Sequence, residues 1–321
     1  MVQFIDKKEN IPTQKGEICA AGTDLYARRR LGLSSGPVQD ISRMADLQEL
    51  FKTENGATQI GALVKIKRLA EYAYIKTNYP ALSKAAGGLA TPQIRAMATV
   101  GGNLLQKNRC WYFRNPAFNC YKNGGNSCPA RSGNHEYGVA FETGPCVAVH
   151  PSTLGMALKT YDARVELGDG SIWTMEQLFG DGSNPRIDNQ LPEGELVVGI
   201  HLPVPTPHEM GGYSRAISRF EAEWAMVECS VRLVIHNQKI ATARVGLGAV
   251  ANFPMTLPKV EEYLLGKKVS EKTFQEAADL ARQLANPLPL TEYKLDLIYG
   301  TVLDCLTKTV KEKEVDFLEI R

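Results

Sequence analysis

The chain has 321 residues, enough for two or three domains and a substantial core. Hydrophobic residues at 44% and charged residues at 22% sit near globular averages, which argues against a disordered or fibrous chain. Lys and Arg total 37 against 35 Asp and Glu, and no basic run interleaves with aromatics, so no nucleic-acid partner is expected.

Arg28-Arg29-Arg30 reads as a solvated helix end. No apolar run approaches the roughly 18 residues that a membrane span needs. The opening MVQFIDKKENIPTQKGE lacks the apolar core and cleavage pattern of a signal peptide. Seven cysteines are an odd number, and a secreted disulfide framework is disfavoured at this length. The expectation is a cytoplasmic protein with reduced thiols, carried across a membrane only with a partner.

Residues 1–80 alternate short apolar runs with helical stretches: EICA, DLYARRRL, VQDIS, TQIGALV, then a helix over about 65–78. This pattern predicts a small α/β unit. Residues 81–205 form a second unit, with a helix at ALSKAAGGL, a glycine turn at TVGGN and a cysteine-rich loop over 106–146. A helix at STLGMALKTYDA and strands at ARVELG and ELVVGIHLP complete it, with DGSNPRIDNQLPEG as a loop. PVPTPHEMGG, residues 203–212, is the best linker candidate. Residues 206–321 then predict an α+β domain, with antiparallel strands at GYSRAIS, VECSVRLVIH and KIATARVGLGAV followed by three helices.

Val227, Cys229, Val231, Leu233 and Ile235 alternate with Glu228, Ser230 and Arg232, which puts Cys229 on the buried face of a strand, and Cys305 lies on an apolar helical stripe, so both read as core. Cys19 reads the same way. Cys110, Cys120, Cys128 and Cys146 differ. Their spacing, C-x9-C-x7-C-x17-C, runs through Asn, Gly, Pro and aromatics with no amphipathic period to bury a thiol. Four soft ligands suit an iron–sulfur cluster or tetrahedral zinc, while disulfides or free thiols remain alternatives. The absence of a C-x2-C knuckle weakens zinc. Trp111, Tyr112, Phe113 and Phe118 offer an apolar shell, and His135 is a substitute ligand or a solvated loop histidine.

Two glycine turns, AAGTDL at residues 20–25 and TVGGNL at 99–104, follow short apolar runs. Each permits close backbone approach to a ligand, and a pair could cradle a pyrophosphate without lysine. Neither matches the Rossmann or P-loop pattern.

Together with CVAVHPS, YDARVEL, GELVVGIHLP, YSRAISRF and VGLGAVANFP, these turns resemble the FAD-binding subunit of the molybdenum hydroxylases, the xanthine dehydrogenase and aldehyde oxidoreductase family. The likeness covers nearly the whole chain. It implies an α+β chain with a PCMH-type FAD-binding fold of two α/β subdomains and a C-terminal α+β domain. It implies FAD contacts at Ala20, Ala21, Gly22, Thr23, Asp24 and Leu25, at Thr99, Gly101, Gly102 and Asn103, and at Thr153 and Asp162.

Within the family, a loop between GGN and the HPS segment resembles the subgroup with a 4Fe–4S insertion, as in 4-hydroxybenzoyl-CoA reductase and a periplasmic aldehyde oxidoreductase. That resemblance implies Cys110, Cys120, Cys128 and Cys146 as cluster ligands. Ala21 and Thr153 depart from the family's Gly and Asp, and little chain precedes Ile18 to form the first strand and helix. The implied partners are a molybdopterin-bearing large subunit, a small subunit with two 2Fe–2S clusters, and an external electron carrier. Lys107, Arg109 and Tyr112 read as donors near the cofactors or as a solvated rim, and Trp224 as a ring-stacking or core residue beyond Tyr213, Arg215 and Arg219. Rival readings are a self-sufficient FAD oxidase or dehydrogenase and a zinc-stapled binding protein with a vestigial flavin site.

Overall fold

Three strands open the chain: β1 (Val2–Phe4), β2 (Glu17–Cys19) and β3 (Val38–Asp40), which pair in parallel in the order β1-β3-β2. The computed structural model describes residues 2–7, 16–220 and 222–318, with side chains as far as residue 311. The expectation of too little chain before Ile18 for a first strand is thereby corrected: β1 pairs with β3 along its length.

A second sheet is antiparallel throughout. It comprises β4 (Leu50–Lys52), β5 (Thr58–Gly61), β6 (Arg164–Leu167), β7 (Ile172–Thr174) and β8 (Val197–Leu202), in the order β4-β5-β8-β6-β7. The expected boundary at residue 80 cuts across this sheet, because β5 pairs with β8, and Ile60 lies opposite Ile200. Local pattern could not see a pairing between strands more than a hundred residues apart. The helix expected over 65–78 is two helices, Ile66–Glu71 and Ala73–Asn78, broken where Tyr72 turns extended.

The third sheet holds β9 (Met210–Ala216), β10 (Val227–His236), β11 (Lys239–Gly248) and β12 (Met255–Thr256), in the order β12-β11-β10-β9. Val227, Cys229, Val231 and Leu233 on one face of β10 are fully buried, in a cluster with Phe274, Ala277, Ile298, Val302 and Cys305 from the last helices. Each large side chain there contributes roughly 1.5–3 kcal/mol. The glycines of the expected linker are part of β9: a Cβ at Gly211 would meet the Ala81 backbone and one at Gly212 would meet Thr309. They allow close packing rather than freedom.

The helix Thr153–Thr160 positions the site. Ser152 caps it, its Oγ accepting from Gly155 N at 2.9 Å. It is buried nearly all round because the middle sheet's core lies on one side and β10 and β11 on the other. Glu228, Ser230 and Arg232 alternate with the Cys229 face of β10, and this helix covers them. Thr160 Oγ1 lies 3.4 Å from Ser230 Oγ, and the Arg232 guanidinium sits 4.2 Å from the Tyr161 ring centroid. Among the described residues no helix is long and apolar enough to cross a membrane.

Candidate functional site

The two glycine turns meet across a cleft between the first two sheets and the third. Its inner cavity, about 250 Å³, is lined by Thr23 and Asp24 from the first turn, Gly102 and Asn103 from the second, and Thr153. Apolar walls come from Ile66, Leu89 and Ile94, while Arg215 and Trp224 close it from the third sheet's side.

In the first turn the left-handed position is Gly22, at φ +70°, and a Cβ there would strike the Tyr26 ring. Ala21 needs no such conformation, which is why alanine fits where the family carries glycine. TVGGNL is not a free turn but a helix start. Thr99 Oγ1 accepts from Gly102 N at 3.1 Å and caps the helix Val100–Leu104. Gly101 has no room for a side chain, since a Cβ would lie 3.0 Å from the Ala62 methyl and 3.1 Å from its carbonyl oxygen. Asn103 Oδ1 accepts from Ser152 Oγ at 2.8 Å and Leu154 N at 3.3 Å, locking the second turn to the helix that carries Thr153.

Asp24 joins the first turn to the cysteine loop. Its Oδ1 pairs with Arg109 Nη1 at 2.9 Å and Arg114 Nη2 at 2.8 Å, and its Oδ2 with Arg28 Nε and Lys107 N at 3.2 Å each. Burial pushes its pKa up, but the charges of Arg109 and Arg114 and the Lys107 N–H outweigh this and hold it below the usual carboxylate value. Arg109 in turn lies 4.7 Å from the Trp224 ring centroid, and Trp224 is 57% exposed at the cleft mouth rather than core.

Thr153 Oγ1 donates to Glu228 Oε1 at 2.7 Å, and Tyr213 OH donates to the same oxygen at 2.8 Å. Glu228 is 5% exposed, and burial raises its pKa against these hydrogen bonds and the charge of Arg215. It lines both cavities of the cleft.

Not every implied contact faces the cleft. Leu25 packs with Cys19 and Val38, and Ala20 against a cluster that includes Ile5 and Leu196. Thr99 and Gly101 act through the backbone they shape. Asp162 stands at the far end of its helix at φ 52°, 3.5 Å from Arg244 and two-thirds exposed, and lines neither cavity.

Beyond Trp224 and Arg109 an outer cavity of about 350 Å³ opens, with Trp111, Tyr112 and Tyr137 among its walls. A third, small apolar cavity of about 20 Å³ adjoins it, lined by Cys110, Cys120, Cys128 and Cys146 together with Tyr112 and Phe113. All four thiols are free. Phe118 stacks edge-on against Tyr112 at 4.9 Å, whereas Trp111 turns away to Tyr137 at 5.2 Å.

Burial pushes the Cys146 thiol up to about 11 and Cys110 above its ordinary value, with Lys122 opposing this at Cys146. Lys122 is itself clamped by Asp188 at 3.0 Å, and Asn108 Nδ2 donates to the same oxygen at 3.1 Å. Asp188 comes from the segment read as a plain loop, and no spacing signal points to it. His135 is partly buried and has a hydrogen-bond partner at each ring nitrogen. Its Nε2 accepts from Leu290 N at 3.2 Å and its Nδ1 lies 3.1 Å from the Ala130 carbonyl, so it braces the loop. Among the described residues no three His, Cys, Asp or Glu side chains converge tightly enough to hold a single metal ion.

Comparison with known proteins agrees with this arrangement. Residues 2–205 match the family described as the FAD binding domain in molybdopterin dehydrogenase, and residues 213–308 the CO dehydrogenase flavoprotein C-terminal domain. The chain is 31% identical over 300 residues to the aldehyde oxidoreductase FAD-binding subunit PaoB of Escherichia coli, covering 90% of each chain. It is 24% identical over 251 residues to the carbon monoxide dehydrogenase medium chain of Afipia carboxidovorans, covering 78% and 70%. A carbon monoxide dehydrogenase chain from Hydrogenophaga pseudoflava superposes with a TM-score of 0.74 at 19% identity, over 97% of this chain and 96% of that one. A quinoline 2-oxidoreductase chain from Pseudomonas putida 86 gives 0.73 at 17%, over 97% and 96%. With both domains matched in order across its length, the chain belongs to the FAD-binding subunits of the molybdopterin-dependent dehydrogenases, a family of oxidoreductase components.

Proposed function

We propose that the chain is the FAD- and 4Fe–4S-carrying electron-transfer subunit of a multisubunit, cytoplasmic molybdenum hydroxylase. A molybdopterin large subunit and a small subunit with two 2Fe–2S clusters would be its partners, and an external carrier its outlet or source of electrons. The observation that carries this reading is the pairing of a two-turn cleft with a neighbouring cavity lined by the four cysteines of one inserted loop.

The residues fit both groups. Gly102 and Thr23 bring backbone to the cleft, and the Nε atoms of Arg109 and Arg215 are buried without a hydrogen-bond partner among the described residues. Four cysteines around one cavity suit a cubane, which takes one thiolate per iron from separate directions. When bound, FAD and the cluster supply one- and two-electron exchange. The chain's own residues hold and shield them: Thr23, Gly102 and Asn103 at the cleft, Cys110, Cys120, Cys128 and Cys146 at the loop, and Tyr112 and Phe113 excluding water.

The absorption spectrum and iron content of anaerobically purified protein test the proposal. Flavin bands over a broad iron–sulfur shoulder, with about four irons per chain, are expected. Zinc in place of iron, or a flavin that a simple substrate bleaches without partners, overturns it.

A further inference from the structure

Lys294 is a buried cation that nothing so far described uses. It begins the helix Lys294–Leu318, is 1% exposed, and its Nζ donates to the Ala249 carbonyl at 3.0 Å. That is one acceptor for three N–H donors. No carboxylate among the described residues pairs with it, although a buried lysine ordinarily has one. The free N–H groups of the helix start add positive potential at the same point. An anion is the complement this position lacks.

Lys294 lines the outer part of the cleft, which is continuous with the inner part: Arg109, Thr153, Trp224 and Glu228 line both. The glycine-turn residues line the inner part alone, so the backbone donors suited to a diphosphate are found there. The outer part has aromatic walls instead, from Trp111, Tyr112, Tyr137 and Trp224, which suit the flat ring of the same cofactor. The other charges on these walls are satisfied. Arg109 pairs with Asp24, Glu223 with Arg219 at 3.5 Å, and Glu228 accepts from Thr153 and Tyr213.

Resting on the FAD reading of the cleft, we propose that the Lys294 ammonium is the counter-charge of the reduced flavin ring and so sets the potential at which this subunit accepts electrons. The oxidised ring is neutral. Two electrons, from an iron–sulfur partner or an external carrier, and one proton taken up at N5 leave it with one negative charge. Lys294 balances that charge in place of a second proton. An interaction made with the reduced ring and not with the oxidised one raises the potential without a comparable gain in affinity for oxidised FAD.

The test is a reductive titration of the full chain loaded with FAD, using dithionite against a reference dye at pH 7 and following the flavin absorbance. Lys294→Met is expected to retain oxidised FAD at the wild-type ratio. Its flavin midpoint potential should fall by at least about 30 mV, which is a tenfold loss for a two-electron couple. Lys294→Arg, which keeps the charge, should stay closer to the wild-type potential than Lys294→Met. Equal potentials in the wild type and Lys294→Met overturn the proposal. An equal fall in both variants also overturns it, because packing rather than charge would then be the cause. Loss of oxidised FAD from Lys294→Met assigns the lysine to holding the cofactor and likewise overturns it. Failure of the wild-type chain to bind FAD at all would refute the cofactor reading itself, and this inference with it.

Discussion

Asp24, half-buried, and Lys294, fully buried, are charges with opposite fates. Asp24 has several donors, so its folded pKa lies below the unfolded value of 3.8. A depressed carboxylate contributes stability that is present above the unfolded pKa and is lost as pH falls through the folded one. Asp24→Asn should therefore destabilise the chain by roughly 2–4 kcal/mol at neutral pH, because Arg109 and Arg114 lose their counter-charge. The loss should shrink below pH 3.8, and urea denaturation at two pH values reads it. Lys294 works the other way. Burial pushes it down from 10.5 to about 7, so the unfolded chain binds the extra proton between those values and stability rises with pH across that window. Lys294→Met should raise the melting temperature most below pH 7, where the charge costs on the order of 5 kcal/mol, and little above pH 10.5. Equal shifts at pH 6 and pH 11 would contradict this.

The glycine turns and the cysteine loop act as elements, through what each is clamped to. Gly101→Ala adds a methyl 3.0 Å from Ala62 and should displace the helix Val100–Leu104, lowering the flavin-to-protein ratio on purification. Ala21→Gly changes no left-handed position and should leave that ratio unaltered, whereas Gly22→Ala should cut it. Both turns and the four cysteines were legible in the sequence, since each is a short pattern of special residue types. Their clamps were not. Asp24 reaches Arg109 and Arg114 across more than 80 residues, and Lys122 reaches Asp188 across 66. Nothing in either segment alone distinguishes a clamping charge from a solvated one. Glu228 was missed for the opposite reason: alternation correctly sorted the faces of β10, but a second layer covers its polar face.

On the scale of the molecule, the cysteine loop is held at both ends to the domains it lies between. Near its start Arg114 Nη2 pairs with Asp24 Oδ1 at 2.8 Å, and near its end Asn286 Oδ1 accepts from Glu142 N at 2.8 Å, tying the loop to the first glycine turn and to the C-terminal domain. Removing any one of Cys110, Cys120, Cys128 or Cys146 by serine substitution is accordingly expected to abolish iron binding and lower the melting temperature of the entire chain, not of the loop alone. A melting curve unchanged in all four variants would contradict a bound cluster.

From sequence alone came the α+β class, the strand and helix types, both glycine turns, the four-cysteine set and the family resemblance, because periodicity and special residues are local properties. The tertiary structure alone decided that β5 and β8 share a sheet, that Glu228 and Lys294 are buried at the cleft, and that Asp162 stands apart from it. These depend on which distant surfaces meet, and burial of a charge is settled only by what covers it.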